Sequence, residues 1–136
     1  MDGDARRAIE AWLLRWSACV RAVDIEGARA MFEPDVVGFG THVPIAHGLA
    51  SLVREQWSVV WPVTEGFGFD LGRLDCVLAA DGLMALVAVP WSSRGRDREG
   101  CTIERPGRAT ILLRRAHASE TWRARHTHFS LNPQLE

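Results

Sequence analysis

The chain has 136 residues, of which 47% are hydrophobic and 24% charged, and its formal net charge is −1 at pH 7. This size and composition predict one globular domain spanning residues 1–136, with a sizeable core. The near-neutral charge argues against nucleic-acid binding, which needs clustered positive charge. All 16 basic residues are Arg and there is no Tyr. Schiff-base lysine chemistry and a tyrosine oxyanion donor are therefore excluded.

The cysteines and the first residues of the chain bear on the cellular compartment of the protein. Cys19, Cys76 and Cys101 form no C-x-x-C pair, so neither a zinc ribbon nor a redox pair is predicted, and Cys76 and Cys101 are expected to be buried, inert thiols. Asp2 and Asp4 stand where a signal peptide needs positive charge. No apolar run is long enough for a bilayer span. We expect a bacterial cytoplasmic protein without membrane contact.

Apolar residues recur at helical spacing in three segments before position 62. The predicted helices are Ala5–Val23, Ile25–Phe32 and Leu49–Trp61. Asp24 is placed to cap the second helix, while Pro34 and Pro62 are expected to end the second and third. Between them, V-V-G-F-G-T predicts a short strand in which Gly38 and Gly40 permit a bend.

The helical period disappears after Gly66. The predicted strand regions are Gly66–Ala79, Leu83–Trp91, Cys101–Arg115 and Ser119–Leu131. Ala80-Asp81-Gly82 predicts a hairpin turn, and Ser92–Gly100 an exposed charged loop. Helices followed by hairpin-connected strands are typical of an α+β fold. We expect a cone, with three N-terminal helices packed on the concave face of a strongly curved, mostly antiparallel sheet.

The end of the chain carries the strongest functional signal. Strict alternation through T-W-R-A-R-H-T-H-F-S places Trp122, Ala124, His126, His128 and Ser130 on one strand face. Two imidazoles and a hydroxyl on one face predict the floor of a pocket, since buried polar groups are costly unless they are used.

His126 and His128 are the candidate catalytic residues, because imidazole can accept and return a proton near neutral pH. Two other interpretations are a polar lining without chemistry and a metal site. The metal site would need a third ligand such as a carboxylate or another His (His42, His47 or His117), and no spacing points to one. Asp70 and Asp75 are candidate orienting carboxylates or bases of raised pKa, or else solvated surface charges. We expect no metal and no cofactor.

The aromatic residues supply candidate ligand contacts. Trp12 and Trp16 are predicted to lie in the core. The predicted ligand-binding residues are Trp57, Trp61, Trp91, Trp122, Phe39 and Ser130, since residues of the third helix and the sheet would bound a cone. A planar apolar ligand fits such walls.

Five segments carry a family resemblance: V-R-A-V-D-I-E-G-A-R-A-M-F-E-P-D-V-V, G-F-G-T, the H-G before the third helix, G-R-A-T-I-L-L-R-R and W-R-A-R-H-T-H-F-S. With them the chain resembles the SnoaL-like domains of the nuclear transport factor 2-like (ketosteroid isomerase-like) superfamily. The resemblance implies a cone-shaped homodimer with a mostly apolar pocket. Members include isomerases, cyclases, dehydratases, epoxide hydrolases and non-catalytic association domains. The isomerases' tyrosine is absent here, and the hydrolases' Asp-Arg-Asp relay cannot be placed on Asp70, Arg73 and Asp75.

Two functions follow from these features. The first is a small-molecule enzyme, a cofactor-independent isomerase, cyclase or dehydratase that moves a proton next to a carbonyl with His126 or His128. The second is a non-catalytic ligand-binding or association module. In both, the partners are a small ligand and a second copy of the chain. The homodimer is predicted through the convex face, because apolar residues are expected on both sheet faces: Val77, Ala79, Ile111, Leu113 and Phe129.

Overall fold

The computed structural model describes residues 3–134. Its helices are α1 (Gly3–Ala22), α2 (Ile25–Arg29) and α3, which occupies positions 49–63. Its strands are β1 (Phe32–Phe39), β2 (Ala46–His47), β3 (Glu65–Phe69), β4 (Asp75–Leu78), β5 (Met84–Arg96), β6 (Thr102–Arg114) and β7 (Arg123–Leu131). The predicted α+β class and the order of helices before hairpins are confirmed.

The third helix, α3, is irregular along its length. It combines an α-helical start, Leu49–Leu52, a π-helical stretch, Val53–Trp57, an α-helical turn, Ser58–Val60, and a 3₁₀ end, Trp61–Val63. The 3₁₀ end contains Pro62, which lacks the N–H that a continuing α-helix would use. A π-helical insertion often marks a functional position.

The strands form one curved, unclosed sheet in the order β2-β1-β7-β6-β5-β3, and β4 also pairs with β5. The β1–β7 pair is parallel and the other pairs are antiparallel. One face alternates buried residues along β5 and β6, such as Val87, Trp91 and Ile111. This inner face joins the apolar side of α1, including Ile9 and Leu13, in a single core cluster. The helices thus cover one side of the sheet, as predicted.

Three predicted elements are wrong. The strand region Gly66–Ala79 is divided into β3 and β4 by a 3₁₀ turn at Leu71–Arg73. The second helix ends at Arg29, and Phe32 opens β1, so Pro34 lies within a strand instead of ending a helix. Ser92–Gly100 is not a loop, because β5 continues to Arg96 and only the turn around Asp97 is loop. The charged residues of this stretch alternate with buried ones, which a strand with one solvated face accommodates.

The capping and turn predictions are confirmed. Asp24 accepts a hydrogen bond from the backbone N–H of Gly27 at 2.9 Å and so caps α2. At the β4–β5 turn, Gly82 N–H donates to the carbonyl of Ala79 at 2.9 Å. Within residues 3–134, no helix has both the length and the apolar character that crossing a bilayer requires.

Candidate functional site

A cavity lies between α3 and the inner face of the sheet, and its volume is about 60 Å³. Its walls are mainly apolar, and the aromatic rings among them include Trp16, Trp57, Trp61, Phe67, Trp91 and Phe129. The rings of Trp57 and Trp61 stack with centroids 4.7 Å apart and an interplanar angle of 18°. The ring of Phe129 lies 5.0 Å from that of Trp16 and 5.9 Å from that of Trp91. The cavity is therefore shaped for a compact, flat, apolar group.

Gln56, in the π-helical stretch of α3, fixes one wall of the cavity. Its Oε1 accepts hydrogen bonds from the backbone N–H groups of His42 at 2.8 Å and Val43 at 3.2 Å. Its Nε2 donates to Thr41 Oγ1 at 3.1 Å. The buried amide thus joins α3 to the loop that follows β1. With these bonds made, Gln56 holds the wall in place, and we assign it no ligand-binding role.

Gly38 and Gly40 permit α3 to approach β1 closely. A Cβ at Gly38 would lie 2.8 Å from Leu52 Cδ1, and one at Gly40 would lie 2.6 Å from Gln56 Cδ. Neither glycine has a positive φ. The G-F-G segment is therefore required for packing space and not for the bend that the sequence predicts.

Three buried hydrogen-bond donors at the cavity have no partner within the described part of the chain. They are Trp16 Nε1, Trp91 Nε1 and Ser93 Oγ. The exposed fraction of each residue is 4% or less. Trp12 Nε1 and Trp122 Nε1, outside the cavity lining, are also buried and without a partner among the described residues. The three groups at the cavity are therefore donors that a ligand or solvent acceptor bound there would satisfy.

Arg105 is the charged residue at the cavity. It lies directly opposite Ser93 in the β5–β6 register, and its side chain is half-buried. Burial lowers the pKa of its guanidinium below the usual value, because a cation loses hydration in a partly apolar environment. No described residue forms an ion pair or hydrogen bond with it, and the described cavity lining includes no carboxylate or imidazole.

The predicted orientation of the two histidines is wrong because β7 contains a bulge. Leu113 pairs with Ala124 and Leu112 with His126, which leaves Arg125 as the extra residue. Beyond a bulge the alternation changes face. Thr127 and Phe129 therefore face the cavity.

His126, His128 and Ser130 lie on the outer face of the sheet. The side chain of His128 is exposed. His126 Nδ1 lies 2.7 Å from the carbonyl oxygen of Val37, to which it donates. Ser130 Oγ accepts from Arg108 Nε at 3.2 Å. A catalytic role for either imidazole stays a prediction, and this placement gives it no support.

The two candidate carboxylates also lie outside the cavity. Asp70 is exposed, accepts a hydrogen bond from Arg73 Nε at 2.8 Å, and has its pKa lowered by that bond, which is opposite to a base of raised pKa. Asp75 shares an outer-face row with Ala88, Thr110 and His128 on four successive strands. Three strand spacings separate Asp75 from His128 by about 14 Å, too far for an orienting hydrogen bond.

The predicted aromatic contacts divide into two groups. Trp57, Trp61, Trp91 and Phe39 line the cavity, although the Phe39 ring also packs against the rings of His126 and His128 at 5.1 and 5.3 Å. Trp122 and Ser130 do not line it. Trp122 is buried elsewhere, under the guanidinium of Arg115 at 4.0 Å from the ring centroid.

Trp16, expected in the core, is buried and also lines the cavity. Arg105 and Ser93 were not predicted as cavity residues, although the sequence contains a signal for Arg105. Arg105 has the same strand parity as the apolar residues Ala109, Ile111 and Leu113. Strand periodicity therefore placed it on the inner face.

The remaining reactive side chains do not assemble a second site. Within residues 3–134, no three His, Cys, Asp or Glu side chains lie close enough to hold a metal. Cys101 is exposed in the β5–β6 turn, which corrects its expected burial. Cys19 is buried and Cys76 is half-buried. Burial raises the pKa of both thiols, which disfavours the reactive thiolate at neutral pH.

Known proteins share this architecture. The family model for the SnoaL-like domain matches residues 9–133. A ketosteroid isomerase-like protein from Erwinia carotovora superimposes with a TM-score of 0.79 at 18% identity, covering 98% of this chain and 100% of that one. An NTF2-like superfamily protein from Salmonella enterica gives 0.75 at 16% identity, covering 98% and 94%.

A third solved structure, an NTF2-like protein of unknown function from Pseudomonas putida, has 26% identity and a TM-score of 0.71, covering 100% of this chain and 92% of that one. No curated protein matches the sequence. Similarity at this level shows that the fold is shared, whereas an activity depends on the residues of the site.

Proposed function

We propose that this chain, which belongs to the family of SnoaL-like domains, binds a small, flat, mostly apolar molecule that carries a hydrogen-bond acceptor. The observation that carries the proposal is the aromatic cavity with three unpartnered buried donors: Trp16 Nε1, Trp91 Nε1 and Ser93 Oγ. An apolar ligand body replaces water against the rings, and its acceptor atom satisfies the donors.

The cavity sets a limit on ligand size. At about 60 Å³ it has room for roughly four water molecules. A compact ligand fits this space, whereas a polycyclic one requires the stacked Trp57 and Trp61 rings to move. Steroid-sized substrates are therefore not part of the proposal.

The chemistry available inside the cavity is polarisation of a carbonyl. Arg105 and Ser93 could donate to a carbonyl oxygen and stabilise negative charge that develops on it. An isomerase, cyclase or dehydratase would also need a base. The predicted bases, His126 and His128, would have to act on a substrate from the opposite side of the sheet. The geometry supports ligand binding and carbonyl polarisation, so proton transfer is not included in the proposed function.

Two matched substitutions on α3 test the proposal. Val60 lines the cavity, whereas the adjacent Val59 is 43% exposed. Val60→Phe should fill the cavity and Val59→Phe should not. Saturation-transfer NMR with cyclopentanone and benzyl alcohol should show ligand signals for the native protein and for Val59→Phe, and none for Val60→Phe. Equal signals from both variants, or no signal from the native protein, would contradict binding in this cavity.

We further propose that the protein is a homodimer through the outer face of the sheet. The supporting observation is a row of adjacent apolar side chains, Val77, Leu86 and Leu112, with Met84 beside them. Val77 is 65% exposed and Leu86 is 47% exposed. Of the residues from which the dimer was predicted, Ile111, Leu113 and Phe129 face inward, so only this outer row supports it. Exposed apolar rows of this kind are typical of interfaces.

A further inference from the structure

We infer that the polar end of the cavity is a carboxylate subsite, in which Arg105 is the counter-ion for a small monocarboxylic acid. This inference rests on the proposed function, because it assumes that the cavity binds a small molecule. It adds the chemical class of the ligand: an anionic head group at Arg105 and Ser93, and an apolar body among the aromatic rings.

The fold directs Arg105 into the cavity. On β6, residues 105, 107, 109, 111 and 113 share the inner face, and all except Arg105 are fully buried. On the neighbouring strand, Gly95 leaves room for the arginine chain, since a Cβ there would lie 2.9 Å from Arg105 Cδ. Strand register and the absence of a side chain at Gly95 thus place the Arg105 chain on the inner face, where it lines the cavity.

No negative charge in the described part of the chain balances this cation. Within residues 3–134, Arg105 forms no ion pair, and its neighbour Glu104 is exposed on the other side of the strand. Glu65, on β3, forms its ion pair with Arg96, at 3.7 Å. A half-buried charge without a partner is unfavourable, and arginine stays protonated in proteins. An anion bound at this point would restore the balance.

The groups around Arg105 select for an acceptor. The Trp91 indole N–H can only donate, and the Ser93 hydroxyl can rotate to donate. An ionised carboxylate is an acceptor-only group that takes two parallel N–H bonds from one guanidinium. Amide and ammonium groups bring donors of their own, which would face donors here. The single positive charge matches a monoanion better than a phosphate dianion.

Benzoate and its neutral isostere benzamide test the inference, with binding measured by calorimetry at pH 7. Native protein should bind benzoate at least about tenfold more tightly than benzamide, the ratio expected for a charge-assisted hydrogen bond. Arg105→Gln should remove that preference. Arg108→Gln is the matched control, since Arg108 is exposed on the outer face of the same strand. This variant should keep the preference for benzoate over benzamide. Phenyl phosphate should bind more weakly than benzoate.

Stability measurements separate a ligand role from a structural one. Loss of an unpaired half-buried cation should leave the Tm of ligand-free Arg105→Gln unchanged or raised, whereas a lowered Tm would assign Arg105 a structural role. Equal affinity for benzoate and benzamide, or unchanged benzoate binding by Arg105→Gln, would overturn the carboxylate subsite while leaving the cavity as a binding site. Tighter phenyl phosphate binding would overturn the monoanion assignment. If neither benzoate, benzamide, cyclopentanone nor benzyl alcohol binds, the proposed function itself fails.

Discussion

Asp70 acts as a cap for the turn between β3 and β4. Its carboxylate accepts hydrogen bonds from Gly72 N–H at 3.2 Å and Arg73 Nε at 2.8 Å. The bond from Arg73 is the main cause of its lowered pKa. A carboxylate that is held ionised in this way is a poor proton acceptor, and its contribution is to local stability.

Asp70→Asn should therefore destabilise the protein at neutral pH, and less so in acid. Because the folded-state pKa lies below the unfolded value, the carboxylate contributes stability above the unfolded pKa, and that contribution is lost as pH falls through the folded pKa. Urea unfolding of both proteins from pH 7 to pH 2.5 measures the difference. A difference that stays constant or grows toward low pH would contradict the assignment.

Single residues on β7 and β6 show what strand periodicity can and cannot predict. Arg105 follows the alternation of its strand, so its inward direction was readable from the sequence. The outward direction of His128 was not readable in this way, because the extra residue at Arg125 changes which residues of β7 face the cavity. The sequence nevertheless contains a sign of this bulge. Trp122 and Ala124 are at even positions and Phe129 is at an odd one, so strict alternation cannot bury all three on one face. Burying Phe129 instead of an imidazole is energetically preferred.

At the scale of elements, the contact between α3 and β1 determines the shape of the cavity. Gly40 provides the space for the Gln56 amide, and that amide holds the backbone of His42 and Val43. The helix and the loop are thus coupled through one side chain.

Gly40→Ala should destabilise the fold by about 1–3 kcal/mol, because the new Cβ displaces Gln56 and leaves buried groups without their bonds. Gly68→Ala is the control, since a Cβ at Gly68 meets no atom within 4 Å. That variant should be neutral or slightly stabilised through its lower unfolded-state entropy. Midpoints of urea unfolding measure both changes. Equal midpoints for the two variants would contradict a role for Gly40 in the α3–β1 contact.

The helices were predictable to within two or three residues because their apolar stripes are continuous and Asp24 and Pro62 mark boundaries. The full length of the β5–β6 hairpin was not predicted, since Arg94 and Arg96 were interpreted as charges of an exposed loop. A strand with one solvated face carries such charges without cost, and only its pairing with β6 distinguishes it from a loop.

At the scale of the whole molecule, the outer face of the sheet is the predicted dimer surface. Leu86→Glu places a charge in the middle of the row formed with Val77 and Leu112. Because a charge without a partner is unfavourable in an apolar interface, the variant should be monomeric. Val63→Glu is the control, since Val63 is 67% exposed at the end of α3. Light scattering at micromolar concentration should give twice the 15.1 kDa of one chain for the native protein and the control. A native monomer, or a dimeric Leu86→Glu, would contradict the interface.

The overall architecture was the most predictable feature, because it depends on the sum of many weak signals. The switch from helical to strand periodicity indicated helices on one face of an antiparallel sheet. The parallel pairing of β1 with β7 was not predicted, since no local pattern shows which distant strand fills a sheet position.

That parallel pair determines when the fold can be completed. The hydrogen bond from His126 to Val37 links residues 89 positions apart, and β1 lies between β7 and the two-residue β2. Closing a loop of this length costs chain entropy before any contact is gained. The β5–β6 hairpin, with its short turn, can form early, whereas the β1–β7 pair has to form late. On the ribosome, β1 can pair with β2 early, whereas its parallel pairing with β7 forms only after almost the whole domain has been synthesised.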